Sequence, residues 1–502
     1  MKYCIGIDVG TSGTKTLLMD QTGRVIKTAS AEYPMMQPQN GWAEQDPALW
    51  WGAAVKTLRA VLDSFDAVDV VSVGLSGQMH GLVLLGEDDR VLRPAIICCD
   101  QRTTEEVDDL NRLIGKERFV EIAANPPITG FTAAKILWVQ KHEPELWAQV
   151  KKILLPKDYV RLKLTGTYAT DVSDASGMQL MDVAGRCWSG EILDKMGIRP
   201  DQLGRLVESP EVTGTITPDA GRLTGLPERA VVVGGAGDNA ASAVGTGVVR
   251  EGTAFLTVGT SAVLFGHTRR MHLEPEGRVH TLCAAVPGEY HIMGVVQSAG
   301  MSLRWLRDAC YGAELAAGQP DLYSRMDDEA AAIAIGADKL LFAPYLMGER
   351  TPFLDANCRG AFFGLSNIHT RAHLVRAVLE GVGYALRDSL ELFRQMHLTP
   401  EQVVLCGGGA KSPLWKQMLC DIYGLPFAAT ADSNGGAYGA AILGAVGAGL
   451  YDSVQAACDA IIRITELTQP DAAAGAEYER YYRFFTTLYP ALHERFDALA
   501  AL

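Results

Sequence analysis

The amino-acid sequence predicts an α/β protein built from two similar domains that face each other. Strand patterns alternate with helix patterns along the chain, which is typical of layered α/β folds. The run Val-Gly-Thr-Ser occurs at Val9–Ser12 and again at Val258–Ser261, about half the chain length apart, and both copies lie between two strand patterns. A chain of 502 residues is also too long for one hydrophobic core. Together these observations predict two homologous α/β units.

The domain boundary is predicted where the pattern of strands and turns starts again, between Thr246 and Gly252. The first domain then spans residues 1–247, and the second spans residues 248–450. The last residues, 451–502, are rich in alanine and predict a helical tail that packs on the second domain.

The first half opens with three strand patterns, "YCIGIDV", "TKTLLMD" and "RVIKTAS", which are joined by tight turns. A helix follows in "EQDPALWWGAAVKTLRAVLD", where Asp46 is the predicted N-cap and Pro47 the first helical residue. The run "VVSVGLSG" predicts a buried strand, and "KILWVQKHEPELWAQV" predicts one helix. This order of elements indicates an α/β layer.

The second half repeats this organisation. Strands are predicted in "RAVVVGGAGD", on both sides of the turn in "GTAFLTVGTSAVLFGHT", and in "QVVLCGGGA", which precedes the helical "SPLWKQMLCDIYG". A long amphipathic helix is predicted over Thr370–Met396. Its Gly381 and Gly383 would each weaken an isolated helix by roughly 1 kcal/mol. We therefore expect these glycines to allow another backbone to approach closely.

Composition argues against two classes of partner. The chain has 45 Lys and Arg against 59 Asp and Glu, a net charge of −14, whereas nucleic-acid binding needs a basic surface. The longest apolar stretch, Tyr438–Leu450, is too short and too rich in glycine to cross a bilayer. The ten cysteines include no C-x-x-C pair, and no signal peptide is visible. We therefore expect a cytoplasmic protein with reduced thiols that binds neither nucleic acid nor membrane.

The two Gly-Thr-Ser turns are candidate phosphate sites. Glycine allows the backbone of such a turn to present several N–H groups to one anion. Two of these turns, one from each domain, could hold a polyphosphate from both sides. The alternative is that both are ordinary hairpin turns.

Asp8 and Lys15 flank the first turn. A carboxylate beside a phosphate would repel it unless a cation lay between them, and Mg²⁺ is usually bound by one or two carboxylates, phosphate oxygens and water. Asp8 is therefore a candidate magnesium-side residue. Lys15, on the outgoing strand, is a candidate phosphate ligand, and the alternative is a solvated hairpin lysine.

Two other phosphate motifs do not fit the sequence. The chain has no G-x-x-x-x-G-K-[ST] motif. The run "GAGDNA" at Gly235–Ala240 matches a dinucleotide-binding pattern, but it would place Asp238 where a pyrophosphate should lie. The acidic residue expected about 20 positions later at a strand end is also missing. We therefore do not predict a dinucleotide site.

Asp238 and Asn239 suggest a different chemistry at that turn. In phosphoryl transfer the protein mainly positions groups and neutralises charge, and a carboxylate can orient the nucleophile and accept its proton. Asp238 could accept a proton from a substrate hydroxyl while Asn239 binds a neighbouring one. The alternative is that Asp238 only caps the helix that follows.

Two more strand ends carry polar residues. "SGQMHG" presents Met79 and His80 after a buried strand, and "AIICCDQR" places Asp100 at the tip of an apolar run. Strand ends in one α/β domain converge on one crevice. A pocket for a polyhydroxylated ligand is therefore predicted, although a single histidine in such a turn is commonly just hydrogen-bonded structure.

These motifs resemble the FGGY family of carbohydrate kinases over most of the chain, and the branch of that family that acts on xylulose most of all. The stretches that carry the resemblance are "IGIDVGTSGTK", "WAEQDPALWW", "SGQMHGLVLL", "RPAII", "GFTAAKILWVQKHEPELW", "LLPKDYVRLKLTG", "SDASG", "GGAGDNAASAVGTG", "VGTSAVLF", "PYLMGERTPFLD", "GAFFGLSNIHTRAHLVRAVLEGVGYAL" and "VVLCGGGAKSPLWKQMLCD".

The resemblance implies two ribonuclease H-like (actin-like) domains with ATP, Mg²⁺ and a sugar in the cleft between them. It implies Asp238 as the catalytic base and Asp8 as a residue important for activity near Mg²⁺. The sugar-side residues that it implies are Met79, His80, Asp100, Asp238 and Asn239. The nucleotide-side residues that it implies are Thr11, Ser12, Gly13, Lys15, Gly259, Thr260, Gly409 and Ala410.

The activity implied is phosphorylation of a ketopentose, with D-xylulose at O5 as the first expectation. This chain has Cys98-Cys99-Asp100 where that branch usually carries Trp-Asn-Asp, so a kinase of another ketose or polyol is the second expectation. An actin-like clamp or sugar sensor without transfer chemistry is the third. The sequence does not set the oligomeric state, and a homodimer is compatible with it.

Overall fold

The computed structural model describes residues 1–431 and 435–502. Their main feature is a pair of seven-stranded sheets, one from each half of the chain, with five two-stranded sheets beside them. The strands are β1 Tyr3–Val9, β2 Gly13–Asp20, β3 Val25–Glu32, β4 Glu44–Gln45, β5 Val70–Gly77, β6 Val83–Leu85, β7 Ala95–Ile96, β8 Lys152–Leu154, β9 Ala169–Asp171, β10 Met181–Asp182, β11 Cys187–Trp188, β12 Arg205–Val207, β13 Val212–Thr215, β14 Val231–Val233, β15 Ala236–Gly237, β16 Thr253–Val258, β17 Ala262–Thr268, β18 His280–Cys283, β19 Tyr290–Val296, β20 Leu341–Ala343, β21 Ala361–Phe363, β22 Gln402–Cys406, β23 Phe427–Thr430 and β24 Ile464–Thr468.

Helices connect and cover these strands. The helices are α1 Pro47–Leu62, α2 Thr104–Ile114, α3 Lys116–Ala123, α4 Thr132–His142, α5 Pro144–Trp147, α6 Pro156–Thr165, α7 Val172–Ala175, α8 Gly190–Met196, α9 Pro218–Thr224, α10 Asp238–Thr246, α11 Gly300–Cys310, α12 Gly312–Ala316, α13 Leu322–Ala331, α14 Arg371–Gln395, α15 Pro413–Tyr423, α16 Gly435–Gly447, α17 Val454–Ile461, α18 Ala472–Phe485 and α19 Leu488–Ala500.

The two sheets share one plan. The first has the order β13-β14-β5-β1-β2-β3, with β15 also paired to β5, and the second has the order β18-β19-β17-β16-β22-β23-β24. In each sheet the strand before the Val-Gly-Thr-Ser turn is antiparallel to the next strand and parallel to a later one: β1 pairs with β2 and β5, and β16 pairs with β17 and β22. The predicted α/β class with two similar units is confirmed.

Local sequence explains most element boundaries. Asp46 accepts a hydrogen bond from the backbone N of Ala48 at 2.9 Å, so it caps α1 as predicted, with Pro47 in the first turn. The single helix predicted over residues 135–150 is wrong. It is divided into α4 and α5 at Glu143, because Pro144 has no N–H to donate and disfavours helical backbone in the residue before it.

Helix α16 packs against the first sheet although it comes from the second half of the chain. It contacts β1, β5 and α10, and the contact is so close that added side-chain atoms would not fit. A Cβ on Gly6 would lie 1.8 Å from the carbonyl O of Ala437, and one on Gly74 would lie 1.8 Å from that of Ala440. Backbone-to-backbone packing of this kind requires glycine.

The glycines predicted to allow close approach in α14 do so in two ways. A Cβ on Gly381 would lie 2.0 Å from the carbonyl O of Phe342, which is a backbone contact as expected. A Cβ on Gly383 would instead meet the side chain of Ile422 at 2.6 Å.

The last residues are not wholly helical. They form α17, α18 and α19, but β24 pairs with β23 and forms one edge of the second sheet. Helix α18 packs on α14 and α15 of the same half, whereas α17 packs on α16 and α10. The division into 1–247, 248–450 and 451–502 stays a prediction.

Among the described residues, none of the helices combines the length and the apolar character needed to span a bilayer.

Candidate active site

The predicted residues Asp8, Met79, His80 and Asp238 follow or lie in three neighbouring strands at the edge where these strands end. Strand β1 is parallel to β5 with Asp8 opposite Ser76, and β15 is parallel to β5 with Gly237 opposite Gly77. Asp238 follows β15 directly and is the first residue of α10. The sheet therefore brings Asp8 and Asp238 to one edge, as expected from convergent strand ends.

Asp8 lies partly buried between strands and helix. The Ser76 hydroxyl donates a hydrogen bond to Asp8 Oδ1 at 2.8 Å, and Lys15 lies opposite Asp8 on β2. Gly436, in the first turn of α16, lies against this group, because a Cβ there would be 3.2 Å from Asp8 Oδ2. Burial raises the pKa of the Asp8 carboxyl, against the opposing effects of Ser76 and Lys15.

Asp238 has a strongly perturbed carboxyl group. Its Oδ1 accepts hydrogen bonds from the backbone N of Asn239 at 2.7 Å and from Asn239 Nδ2 at 2.9 Å. Burial raises the pKa of Asp238 to about 8, and the negative charges of Asp8, Cys98 and Asp174 add to the effect. Gly237 is the N-cap of α10, and Asp238 stands at the first helical position with its carboxylate on a backbone N–H of the first turn. Its environment is that of a group tuned for proton transfer.

The first Gly-Thr-Ser turn closes with a hydrogen bond from Gly10 N to Gly13 O at 3.0 Å. Gln45 Nε2 donates to Thr11 O at 2.7 Å and Tyr33 N donates to Ser12 O at 3.3 Å, so the carbonyls of the turn are held by protein donors. The side chain of Ser12 is exposed, and Thr11, Gly13 and Lys15 are partly exposed. All four lie at the edge of the sheet that carries Asp8.

The second turn opens onto a cavity of about 520 Å³. Gly259 N donates to Ser261 O, and the first N–H groups of α11 donate to the carbonyls of Gly259 and Thr260. The residues lining this cavity include Val258, Gly259, Thr260, Gly300, Arg304, Tyr323, Asp327, Gly408, Gly409, Lys411 and Trp415. The structure thus brings together Gly259, Thr260 and Gly409, and Ala410 follows directly in the short 3₁₀ turn Gly408–Lys411.

Met79 and His80 follow β5, and Met79 lies against Gly237, the residue before Asp238. A Cβ on Gly237 would be 2.9 Å from the Met79 sulfur, so the Met79 side chain covers the start of α10. His80 has a positive φ of 67°, donates from Nδ1 to Gly177 O at 2.9 Å and stacks on Phe131 at 3.8 Å. Burial lowers the pKa of His80 to about 3, so its imidazole is neutral. Its ring is held in a fixed orientation by protein contacts.

Asp100 is fully buried and tightly bonded. Its two carboxylate oxygens accept hydrogen bonds from the Arg102 guanidinium at 2.7 to 3.0 Å, and Oδ2 also accepts from Ala43 N at 2.6 Å. The guanidinium lies 3.6 Å from the Trp42 ring and also bonds Glu44 at 2.8 Å. This geometry favours support of the loop after β7, and the role of Asp100 as a sugar ligand stays a prediction.

A buried cluster of charged side chains contacts the segment Gly234–Gly237, which precedes Asp238. Lys157 Nζ lies 2.7 to 3.1 Å from carboxylate oxygens of Asp158, Asp171 and Asp174, and Arg161 bonds Asp158 and the carbonyl O of Gly234. All five side chains are fully buried. The Ser173 hydroxyl, which donates to Asp171, accepts a hydrogen bond from Gly237 N at 3.1 Å.

Sequence reasoning missed three basic residues of the site. Lys135 is fully buried and donates to the carbonyls of His80 at 2.7 Å and Gly130 at 2.6 Å. Arg350 comes from the second half of the chain, and its charge acts on His80 and Cys98 in the first. Lys157 holds the cluster described above. A lysine on an apolar helix face, as in "GFTAAKILW", was the one signal that could have indicated Lys135.

Two other cavities contain none of the predicted site residues. One of about 540 Å³ is lined by Arg90–Leu92, by His142–Leu146 and by Gln149, and it lies against α5. We therefore locate the candidate active site by the carboxyl groups with perturbed pKa values at the strand ends, and not by the volume of a cavity.

Comparison with known proteins agrees with this geometry. Residues 3–245 match the FGGY family of carbohydrate kinases, N-terminal domain, and residues 254–448 match its C-terminal domain. The chain is 40% identical to xylulose kinase of Escherichia coli over 493 residues, which covers 97% of this chain and 99% of that protein.

Two solved structures superpose over nearly the whole chain. The crystal structure of a xyloylose kinase from Brucella ovis has a TM-score of 0.90 at 37% identity and covers 98% of this chain and 99% of its own. That of gluconate kinase from Lactobacillus acidophilus has a TM-score of 0.93 at 26% identity, with 99% of each chain covered. The chain therefore belongs to the FGGY family of carbohydrate kinases.

Proposed function

We propose that this kinase transfers the γ-phosphoryl group of ATP to the terminal hydroxyl, O5, of D-xylulose. The observation that carries the proposal is the position of Asp238: a carboxyl group with a pKa of about 8 at the point where β1, β5 and β15 end. The identity of 40% to a xylulose kinase over nearly the full length supports the choice of sugar.

Asp238 is the general base in this proposal. As O5 attacks the γ-phosphorus and the bond to the ADP oxygen breaks, the O5 proton moves to the Asp238 carboxylate. A base with a pKa near the working pH combines adequate ionisation with adequate basicity. Asn239 holds the Asp238 carboxylate through its backbone and side-chain N–H groups. Asn239, Met79 and His80 form the sugar-side wall, and the contacts that fix His80 pre-organise this wall.

The nucleotide occupies the two repeated turns. The adenosine fits the 520 Å³ cavity beside Gly409 and Ala410. Gly259 and Thr260 from one half, and Thr11, Ser12, Gly13 and Lys15 from the other, face the phosphates. Backbone N–H groups in such turns, together with a lysine, provide the donors that a polyphosphate requires.

The donor set near Asp8 fits Mg²⁺ bound together with ATP. Among the described residues, no group of three or more His, Cys, Asp and Glu side chains could hold a metal alone. Asp8 and Asp238 are close enough for the charge of Asp8 to raise the pKa of Asp238, and oxygen-only donors match Mg²⁺, which takes its remaining ligands from phosphate and water. Asp8 would hold the ion, which would neutralise charge on the phosphates.

The fold alone does not choose the sugar, because a gluconate kinase superposes as closely as a xyloylose kinase. The Cys98-Cys99 step beside the site keeps another ketose or polyol as the second candidate. A clamp or sensor without transfer chemistry does not explain a tuned base next to a sugar-side wall. We further propose a cytoplasmic enzyme, because all ten cysteines are free thiols and ATP is the donor. A homodimer stays a prediction.

The test is ADP release measured across ketopentoses, ketohexoses and polyols, with wild type, Asp238→Asn and a control, Asp219→Asn, whose side chain is 81% exposed. We expect D-xylulose to give the highest kcat/KM. Asp238→Asn should lose about 10²- to 10⁴-fold in kcat, while Asp219→Asn keeps wild-type rates. Equal ADP release with and without any sugar, or near-normal turnover by Asp238→Asn, would contradict the proposal.

A further inference from the structure

Two adjacent thiols, Cys98 and Cys99, lie at the edge of the proposed sugar and phosphate site. They follow β7 in a turn that Asp100 N closes by donating to Ile97 O at 3.2 Å. Cys99 is exposed and Cys98 is partly exposed. No other two cysteines of the chain are adjacent in sequence, and this turn therefore offers two neighbouring sulfur atoms to one ligand from solvent.

The sulfur atoms of this turn are close to one another and to a third. Cys98 and Cys99 are adjacent in the chain, and each thiol shifts the pKa of the other. Cys99 Sγ lies 3.7 Å from Met35 Sδ, and Met35 is 40% exposed. Two thiols and a thioether in contact form a donor set that is selective for soft, thiophilic centres.

The environment favours a reactive thiol at Cys98. Interaction with the neighbouring Cys99 thiol lowers the pKa of Cys98 to about 6, and the charges of Lys135 and Arg350 act in the same direction against burial. The pKa of Cys99 is raised by its interaction with Cys98 and by burial. One thiolate and one thiol in contact can react in turn with a single centre that accepts two sulfur ligands.

Cys98 is also connected to the catalytic residues. The charge of Cys98 raises the pKa of Asp238, and Thr11 of the first phosphate turn is among the groups that lower the pKa of Cys98. The carbonyl O of Cys98 lies 2.6 Å from the position that a Cβ on Gly130 would take, and Lys135 donates to the carbonyls of both Gly130 and His80. We therefore expect a group bound to both sulfur atoms to lie near the sugar-side wall.

We propose that Cys98 and Cys99 form a vicinal dithiol that binds trivalent arsenicals and thereby blocks the active site. With phenylarsine oxide, each thiol forms one sulfur–arsenic bond, the two thiol protons leave with the arsenic-bound oxygen as one water molecule, and no atom is oxidised or reduced. Met35 lies in position to contact the bound arsenic. The effect on turnover rests on the function proposed above, whereas binding itself does not.

The test treats the full-length enzyme with phenylarsine oxide and reads intact mass, the labelled peptide and sugar-dependent ADP release. We expect one phenylarsenic group per chain on the Cys98–Cys99 peptide, loss of activity, protection by sugar, and recovery with 2,3-dimercaptopropanol but not with the monothiol glutathione. Cys98→Ser and Cys99→Ser should each raise the half-inhibitory concentration at least tenfold. Cys187→Ser, which removes an exposed cysteine elsewhere, should behave as wild type.

Unchanged sensitivity in both variants, labelling of other cysteines in place of this pair, or labelling of the pair without loss of activity would overturn the proposal. Intact mass needs no substrate. If D-xylulose is not phosphorylated, the function proposed above fails, and inhibition is then read with whichever acceptor the substrate panel identifies.

Discussion

At the scale of single residues, the chemistry depends on how burial acts on Asp238 and Asp8. Both carboxyl groups have a raised pKa, and in both the largest cause is removal from water. Asp8 has Lys15 opposite it on the next strand, which opposes the shift, whereas Asp238 faces further negative charges. The two similar side chains are thus suited to different tasks, one to a cation and one to a proton.

Asp174→Asn should move the acidic limb of the pH–rate profile to lower pH. In the proposed mechanism Asp238 must be deprotonated to act, so kcat/KM for the sugar should rise with pH through the pKa of Asp238, which is about 8. Asp174 has a pKa of about 7 and raises that of Asp238 as it ionises. Removing its charge should lower the apparent pKa of kcat/KM by roughly 0.3–1 unit.

Asp219→Asn, on the surface, serves as the control and should leave the apparent pKa of kcat/KM unchanged. Thermal unfolding of each variant checks that the protein still folds when the charge balance around Lys157 is changed. A limb that stays at the wild-type pH in a folded Asp174→Asn enzyme would show that the cluster has no electrostatic effect on the base.

At the scale of elements, glycine determines how closely helices and sheet approach. Helix α16 lies on β1 and β5 through Gly6 and Gly74, and on α10 through Gly439, where a Cβ would be 1.8 Å from the carbonyl O of Ala241. This packing sets the position of the first turn of α16 beside Asp8. The contacts that place α16 beside Asp8 therefore leave no room for the methyl group of an alanine.

Gly74→Ala should destabilise the protein by about 1–3 kcal/mol or more, because overpacking forces backbone shifts. Its matched control is Gly52→Ala in α1, where nothing lies within 4 Å of the added Cβ. That exposed helical position should gain up to about 1 kcal/mol from the better helix propensity of alanine. Denaturant unfolding measures both, and equal stability of the two variants would contradict the close-contact argument.

At the scale of the whole molecule, the two halves contribute different parts of the proposed active site. The first sheet carries Asp8, Asp238 and the proposed sugar-side wall, and the second carries the cavity that we propose for the nucleotide. Arg350, from the second half, acts electrostatically on His80 and Cys98 in the first. ATP bound to both turns would draw the halves together and exclude water, which otherwise competes as the acceptor.

Addition of a non-hydrolysable ATP analogue together with D-xylulose should reduce the radius of gyration more than either ligand alone. The reason is that each ligand contacts mainly one half, whereas closure requires both. Small-angle scattering measures the change, and hydrogen exchange at the two Gly-Thr-Ser turns reports it locally. An unchanged radius with both ligands bound would show that the halves do not close.

Much of the fold could be predicted because its signals are local. The repeated turns, the cap at Asp46 and the strands that end beside Asp8, Met79 and Asp238 depend on short-range periodicity and turn chemistry. Lys135 and Arg350 could not be assigned to the site, because their roles depend on contacts between residues far apart in sequence. The same holds for β24, which has exposed side chains and is a strand only because it pairs with β23.

The sequence by itself determined the α/β class, the duplicated sheets and the polar strand ends, since each follows from residues close together in the chain, and its resemblance to the FGGY family implied the kinase chemistry. Only the tertiary structure decided that α16 closes the first sheet, that Asp100 is bonded by Arg102, and that Lys157 and Arg161 support the turn of Asp238. The physical reason is that burial and nearby charges arise only once distant segments of the chain pack together. They set the pKa values, and they decide whether a side chain is available for a ligand or is held by contacts within the fold.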